Sequence, residues 1–170
     1  MNLKLFILLI FLPIVFSKLI YTDYNSTIYE NKYQTYKNKY NQLINITETN
    51  KFPEVDGKFI YYFQPFCNPV NIYISHNLTN RTISYKEKFS TLLHELTHFF
   101  QCLYSNKLLV QKKIIPITKF LPSYYLRSFV KKYYNKTTWN IEFEAYHITE
   151  KPNKFTIIEN YIHNNDFLLY

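Results

Sequence analysis

The sequence predicts an α+β domain with a small mixed or antiparallel sheet and several C-terminal helices. Three observations carry that prediction. The chain has 170 residues, which suits one domain, and its 47% apolar content is enough for a packed core. Short runs rich in Ile, Tyr and Phe, punctuated by proline, fill Lys58 to Tyr85. Longer runs with helical spacing follow from Lys86. Strands followed by helices, rather than alternating with them, mark an α+β fold.

The N-terminus has a short basic start, Met1-Asn2-Leu3-Lys4, and an apolar run from Leu5 to Phe16 broken only by Pro13. That is a signal peptide's length and short for a membrane span. Val15 and Ser17 occupy the −3 and −1 positions of a cut before Lys18. Residues 1–17 are therefore expected to be a signal peptide and 18–170 one domain, secreted or lumenal, with no stable membrane insertion after cleavage. The alternative is an uncleaved anchor that extends through Leu19-Ile20 and tethers the domain to a membrane. Sequons at Asn25, Asn45, Asn77, Asn80 and Asn135 mildly favour an extracytoplasmic route, although so Asn-rich a chain carries about two or three by chance. The two cysteines, Cys67 and Cys102, form an even pair that an oxidising compartment could join; two buried thiols are the other reading.

Past the leader, Tyr29, Tyr33, Tyr36, Tyr40 and Leu43 recur at spacings of four and three, which places them on one side of a helix as core packing. Lys58 to Gln64, Val70 to Ser75 and Arg81 to Tyr85 read as strands, separated by Pro65, Pro69 and the Asn77 to Asn80 cluster. Helices are expected from Lys86 to about Tyr104, from Ser123 to Tyr134 and from Thr138 to Thr149. The tail from Phe155 to Tyr170 fits a strand or a helix.

A net charge of +8 would suit an anionic partner, but the lysines are scattered and no Arg-rich run appears. A solvated basic surface is the better reading, and no nucleic-acid partner is expected. Aromatics reach 20%, a bias shared with Asn, Lys and Ile that AT-rich coding produces and that says little about function.

The informative stretch is Leu92 to Leu103, LLHELTHFFQCL. Stepped at about 100° per residue, His98 falls beside His94, with Thr91, Glu95, Gln101 and Cys102 flanking them. Leu92, Leu93, Leu96, Phe99, Phe100 and Leu103 take the other side. An i, i+4 histidine pair lets both imidazoles reach one zinc at about 2.1 Å. Glu95, next to the first histidine, then reaches a water at the metal, where a carboxylate can take its proton. Composition alone predicts far fewer than one such pentad in this chain.

His94-Glu95-Leu96-Thr97-His98 is similar to the HExxH helix of the zincin metallopeptidases, a resemblance that covers about a third of the chain. It implies a zincin-like fold, in which a sheet with a substrate-holding edge strand packs on the HExxH helix. One Zn2+ per chain and a peptide or protein substrate are implied with it. The metzincin pattern needs Gly and His where this chain has Gln101 and Tyr104, so that branch is excluded. The chain looks instead like the gluzincin type, whose third ligand is a glutamate on a later helix.

Ile141 to Ile148, IEFEAYHI, offers that glutamate. On the wheel Glu144 lies among Ile141, Ala145 and Ile148, and Glu142 projects on the other side with Tyr146. A carboxylate in an apolar face is costly without a cation, so Glu144 is the expected third metal ligand, with His147 as its rival. The resemblance implies peptide-bond hydrolysis, with Glu95 as the catalytic base and Val70 to Ser75 as a candidate edge strand. His147, Tyr146, Tyr133 and Arg127 are all open as the oxyanion helper. The alternatives are an inactive zincin-fold binding protein and a small structural zinc protein closed by a fourth protein ligand.

Overall fold

The computed structural model describes residues 26–51, 57–63, 67–78, 81–104, 109, 124–149 and 153–164. The expected signal peptide and the sequons Asn25 and Asn80 lie outside the described residues. A helix over residues 26–40 (α1) comes first. Its tyrosine stripe packs as the spacing predicts: Tyr33 and Tyr40 are buried, with Tyr29 and Tyr36 partly buried against the same core. Leu43 departs from the stripe. It lies beyond the helix end, where the chain turns, and is 40% exposed.

Three strands form the main sheet: β1 (Asn45–Thr49), β2 (Gly57–Phe63) and β3 (Cys67–Ser75), in the order β1-β3-β2. β1 runs parallel to β3, with Ile46 opposite Ile72, and β2 runs antiparallel, with Phe59 opposite Ile72. The β2 register shifts between Ile60 and Tyr61, near the Tyr61–Pro69 pair, where proline has no N–H to give. The sheet corrects the expectation for Val70 to Ser75, because β3 is the central strand and is paired on both sides. Among the described residues, β1 and β2 are the edges.

A second ladder pairs β4 (Asn77–Leu78) with β5 (Arg81–Thr82), so the run from Arg81 to Tyr85 is strand for only two residues. Ser84 ends it by capping α2 (Tyr85–Leu103). The Glu87 N–H donates to Ser84 Oγ at 3.3 Å and the Ser84 N–H donates to Glu87 Oε2 at 2.9 Å, a reciprocal capping box. The helices α3 (Tyr124–Tyr133), α4 (Trp139–Thr149) and α5 (Asn153–Asn164) follow. The tail that fitted either strand or helix is therefore helical as far as Asn164.

α2 sits at the centre, packed on β2 and β3 and on α4. Leu92, Leu93, Leu96, Phe99 and Phe100 are buried with Ile46, Ile72 and Ile74 of the sheet, Tyr33 and Tyr40 of α1, and Phe155 and Ile158 of α5. Each of these side chains stabilises the fold by about 1.5–3 kcal/mol through removal from water. Leu103, expected on the same face, ends the helix and is 38% exposed. A smaller cluster of Leu126, Val130 and Phe143 joins α3 to α4. Among the described residues no helix is long and apolar enough to cross a membrane.

The far end of α2 is held by charge. Glu48 of β1 accepts from Lys37 Nζ at 2.7 Å and from Lys88 Nζ at 2.8 Å, and Lys88 is buried. Burial pushes the Glu48 carboxyl up, but the two ammonium groups outweigh it and hold it at about 2, below its ordinary 4.5. A depressed carboxylate contributes stability that is present above the unfolded value and lost as pH falls through the folded one. Glu48→Gln should destabilise the fold by about 2 kcal/mol near neutral pH, between the values for exposed and fully buried pairs. Denaturant titrations should show that gap to wild type constant down to pH 4.5 and closing towards pH 2.

Candidate metal centre

α2 brings His94, His98 and Gln101 against α4 and Glu95 to the side near Gly57 of β2. His94 and His98 lie one turn apart, with ring centroids 4.7 Å apart and planes nearly perpendicular. Their Nε2 atoms approach to 3.1 Å. Glu142 of α4 completes the cluster: its Oε2 lies 3.4 Å from His94 Nε2 and 3.5 Å from His98 Nε2. At those distances Oε2 forms no hydrogen bond, and it is buried without a hydrogen-bond partner in the structure. A buried carboxylate oxygen and two imidazole nitrogens turned on one point make a set that can hold a metal ion.

The Glu142 carboxylate and the two imidazoles also attract one another by charge. Burial raises the Glu142 carboxyl, but the two imidazoles overcome this and hold it at about 2. Burial works against charge on His98, yet Glu142 and the nearby Glu95 more than offset it and raise its pKa above the ordinary value.

The expected third donor, Glu144, is not in this set. Glu142 and Glu144 are two residues apart, about 200° around a helix, so only one of them can face the histidines. Glu144 is fully buried on the other side of α4, where its Oε2 accepts from Gln101 Nε2 and from the Leu109 N–H, both at 2.8 Å. Those N–H donors offset the cost of burying it, the role that the sequence reading gave to a metal. His147 is buried and also stands outside the set. Cys102 is buried on α2, and the side chain of Cys67 lies outside what the structure describes.

Glu95 is buried at 6% exposure and lines a cleft of about 570 Å³ with His94, Gly57, Thr91, Tyr134 and Tyr146. The Tyr146 ring lies 4.4 Å from the His94 ring, and the Tyr134 and Tyr146 hydroxyls are 2.8 Å apart. Burial, then Tyr146 and the carboxylates of Glu142 and Glu95, push the Tyr134 hydroxyl well above its ordinary pKa, so it remains a proton donor. Of the side chains left open as oxyanion helpers, Tyr146 lies against a histidine of the set, Tyr133 lines the cleft at 62% exposure, and Arg127 is exposed. Tyr134 was not among them, and no spacing in the sequence marks it.

Gly57 is the only glycine in the chain. A Cβ there would lie 2.4 Å from Thr91 Cγ2, 3.1 Å from the Tyr73 carbonyl oxygen and 3.2 Å from Glu95 Cγ. The missing side chain lets the edge strand β2 approach α2 at the level of Glu95. Gly57→Ala should destabilise the fold by about 1–3 kcal/mol through overpacking, because a β-branched threonine has little rotamer freedom on a helix. Adding Thr91→Ser, which deletes the clashing methyl, should recover most of that loss in thermal unfolding.

Of the described sequons, Asn45, Asn77 and Asn135 are exposed. The Asn45 amide donates to Asn71 Oδ1 at 2.5 Å, and Asn135 Oδ1 accepts from the Thr137 N–H at 3.2 Å. The chain matches no family model, no curated protein and no solved structure.

Proposed function

We propose that this chain is a zinc-dependent endopeptidase of the zincin type, acting in a secretory lumen or outside the cell, with His94, His98 and Glu142 as its metal ligands. One observation carries the reading. The three donor atoms are 3.1, 3.4 and 3.5 Å apart, and donors at about 2.0–2.1 Å from a tetrahedral zinc are spaced about 3.3–3.4 Å apart. Two imidazoles and one carboxylate are also the donor set of catalytic zinc, which leaves a coordination position open. Zinc, when bound, supplies Lewis acidity that polarises a carbonyl and acidifies water.

Glu95 is the general base. It takes a proton from the attacking water as the carbon–oxygen bond forms and returns it to the amine as the carbon–nitrogen bond breaks. Its burial beside the cleft keeps bulk water from competing for that carboxylate. The hydroxyl pair of Tyr134 and Tyr146 keeps one O–H free to donate to the oxygen that gains charge. β2 takes the role first given to Val70 to Ser75: it is an edge of the sheet and Gly57 lines the cleft, so an extended peptide can pair along it towards Glu95.

The test is hydrolysis of a quenched fluorescent peptide library by the purified chain. Cleavage that a chelator abolishes and that added zinc restores supports the reading; cleavage indifferent to chelator, or none with zinc bound, overturns it.

A further inference from the structure

We propose that Gln101 and Glu144 are positioning residues that fix the tautomer of His98, placing its proton on Nδ1 and leaving the Nε2 lone pair for a metal. The inference rests on the metal reading of the site only where affinity is concerned. The chain of contacts runs from α4 to the histidine. Gln101 Nε2 donates to Glu144 Oε2 at 2.8 Å and to the Ile141 carbonyl oxygen at 3.2 Å. Gln101 Oε1 lies 2.8 Å from His98 Nδ1.

The direction of these bonds follows from the groups at the ends. A backbone carbonyl can only accept, and so can a carboxylate oxygen that already takes the Leu109 N–H. The NH2 end of the Gln101 amide must therefore face α4, since the flipped amide would set its oxygen against two acceptors. Its carbonyl oxygen then faces His98, and an oxygen can only accept, so His98 Nδ1 carries the proton. In the neutral ring, Nε2 is left with its lone pair and points to His94 Nε2 and Glu142 Oε2. Gln101 is 1% exposed and Glu144 is fully buried, so water does not compete for either link. His94 gives the contrast: its Nδ1 is buried with no hydrogen-bond partner in the structure, and no such lock acts on it.

The relay explains a fully buried glutamate that is no ligand. It sets the amide, and the amide sets the imidazole, as outer-shell partners do for metal-binding histidines. It also ties the metal site to Leu109, beyond the end of α2.

The experiment is a long-range 1H–15N correlation spectrum of the metal-free full-length protein labelled with 15N-histidine, at a pH where the imidazoles are neutral. His98 is assigned by the signals lost in His98→Gln. The wild-type spectrum should show His98 as the Nδ1–H tautomer. Gln101→Met, close in volume but without the amide, should give a tautomer mixture and bind zinc about 10–100-fold more weakly. Glu144→Gln keeps an oxygen that can accept from Gln101, so it should hold the wild-type tautomer. An Nε2–H or evenly mixed His98 in the wild type overturns the proposal, as does a Gln101→Met variant with unchanged tautomer and zinc affinity. If Gln101→Met does not fold, the wild-type spectrum still decides. A wild type that shows the Nδ1–H tautomer but binds no zinc supports the relay and refutes the endopeptidase reading.

Discussion

Glu95→Gln should bind zinc as tightly as the wild-type chain and lose about 10²–10⁴-fold in peptide hydrolysis, the range for removal of a general base. The amide keeps the shape of the side chain, so the close approach of β2 to α2 at Gly57 survives. What it loses is the ability to take a proton. Glu95 is not one of the three clustered donors, so metal content should not change. Metal analysis and steady-state kinetics on the same preparation separate the two effects. Full residual activity would remove Glu95 from the mechanism, and loss of zinc would make it part of the metal shell.

The second large effect separates the two glutamates of α4. Glu142→Ala should weaken zinc binding by more than about 100-fold, beyond the range of outer-shell substitutions, because it deletes a donor. Without metal it should also cost some stability, because the two imidazoles that hold the Glu142 carboxyl at about 2 lose their counter-charge. Glu144→Ala should do the reverse in emphasis. It strands the buried donors of Gln101 and Leu109, at about 1–3 kcal/mol of stability, and weakens zinc by only about 10–100-fold through the relay to His98. Zinc titration by calorimetry, paired with denaturant unfolding of the metal-free proteins, reads both quantities. Equal zinc affinity in Glu142→Ala and wild type would contradict the ligand assignment.

This contrast shows where the sequence was legible. The histidine pair and Glu95 are a local pattern on one helix, so spacing alone places them on one surface. Which side of α4 meets that surface is a tertiary fact. The wheel placed Glu144 inward among apolar neighbours, correctly, but α4 has two inward sides. Ile148 joins the main core, while Phe143, with Trp139 and Tyr146 against it, joins the cluster shared with α3. Apolar surroundings therefore could not tell a carboxylate beside the histidines from one beside Gln101.

The same limit applies to the sheet. β2 and β3 were visible as aromatic and β-branched runs, but β1 is a polar segment, Asn-Ile-Thr-Glu-Thr, whose one buried residue in the main core is Ile46. Its pairing with β3 is what makes β3 central and moves the candidate substrate edge to β2. Two further local signals stand in the sequence. Ser84 and Glu87 have the spacing of a capping box, which places the start of α2, and a lone glycine at position 57 marks a close backbone approach.

The most direct test of the metal centre is a crystal structure of the zinc-loaded protein with anomalous data collected at the zinc edge. One strong peak per chain is expected, bonded to His94 Nε2, His98 Nε2 and a Glu142 oxygen, with the remaining position open to the cleft beside Glu95. A peak held by Glu144, one closed by a fourth protein ligand, or none between the two histidines would contradict it.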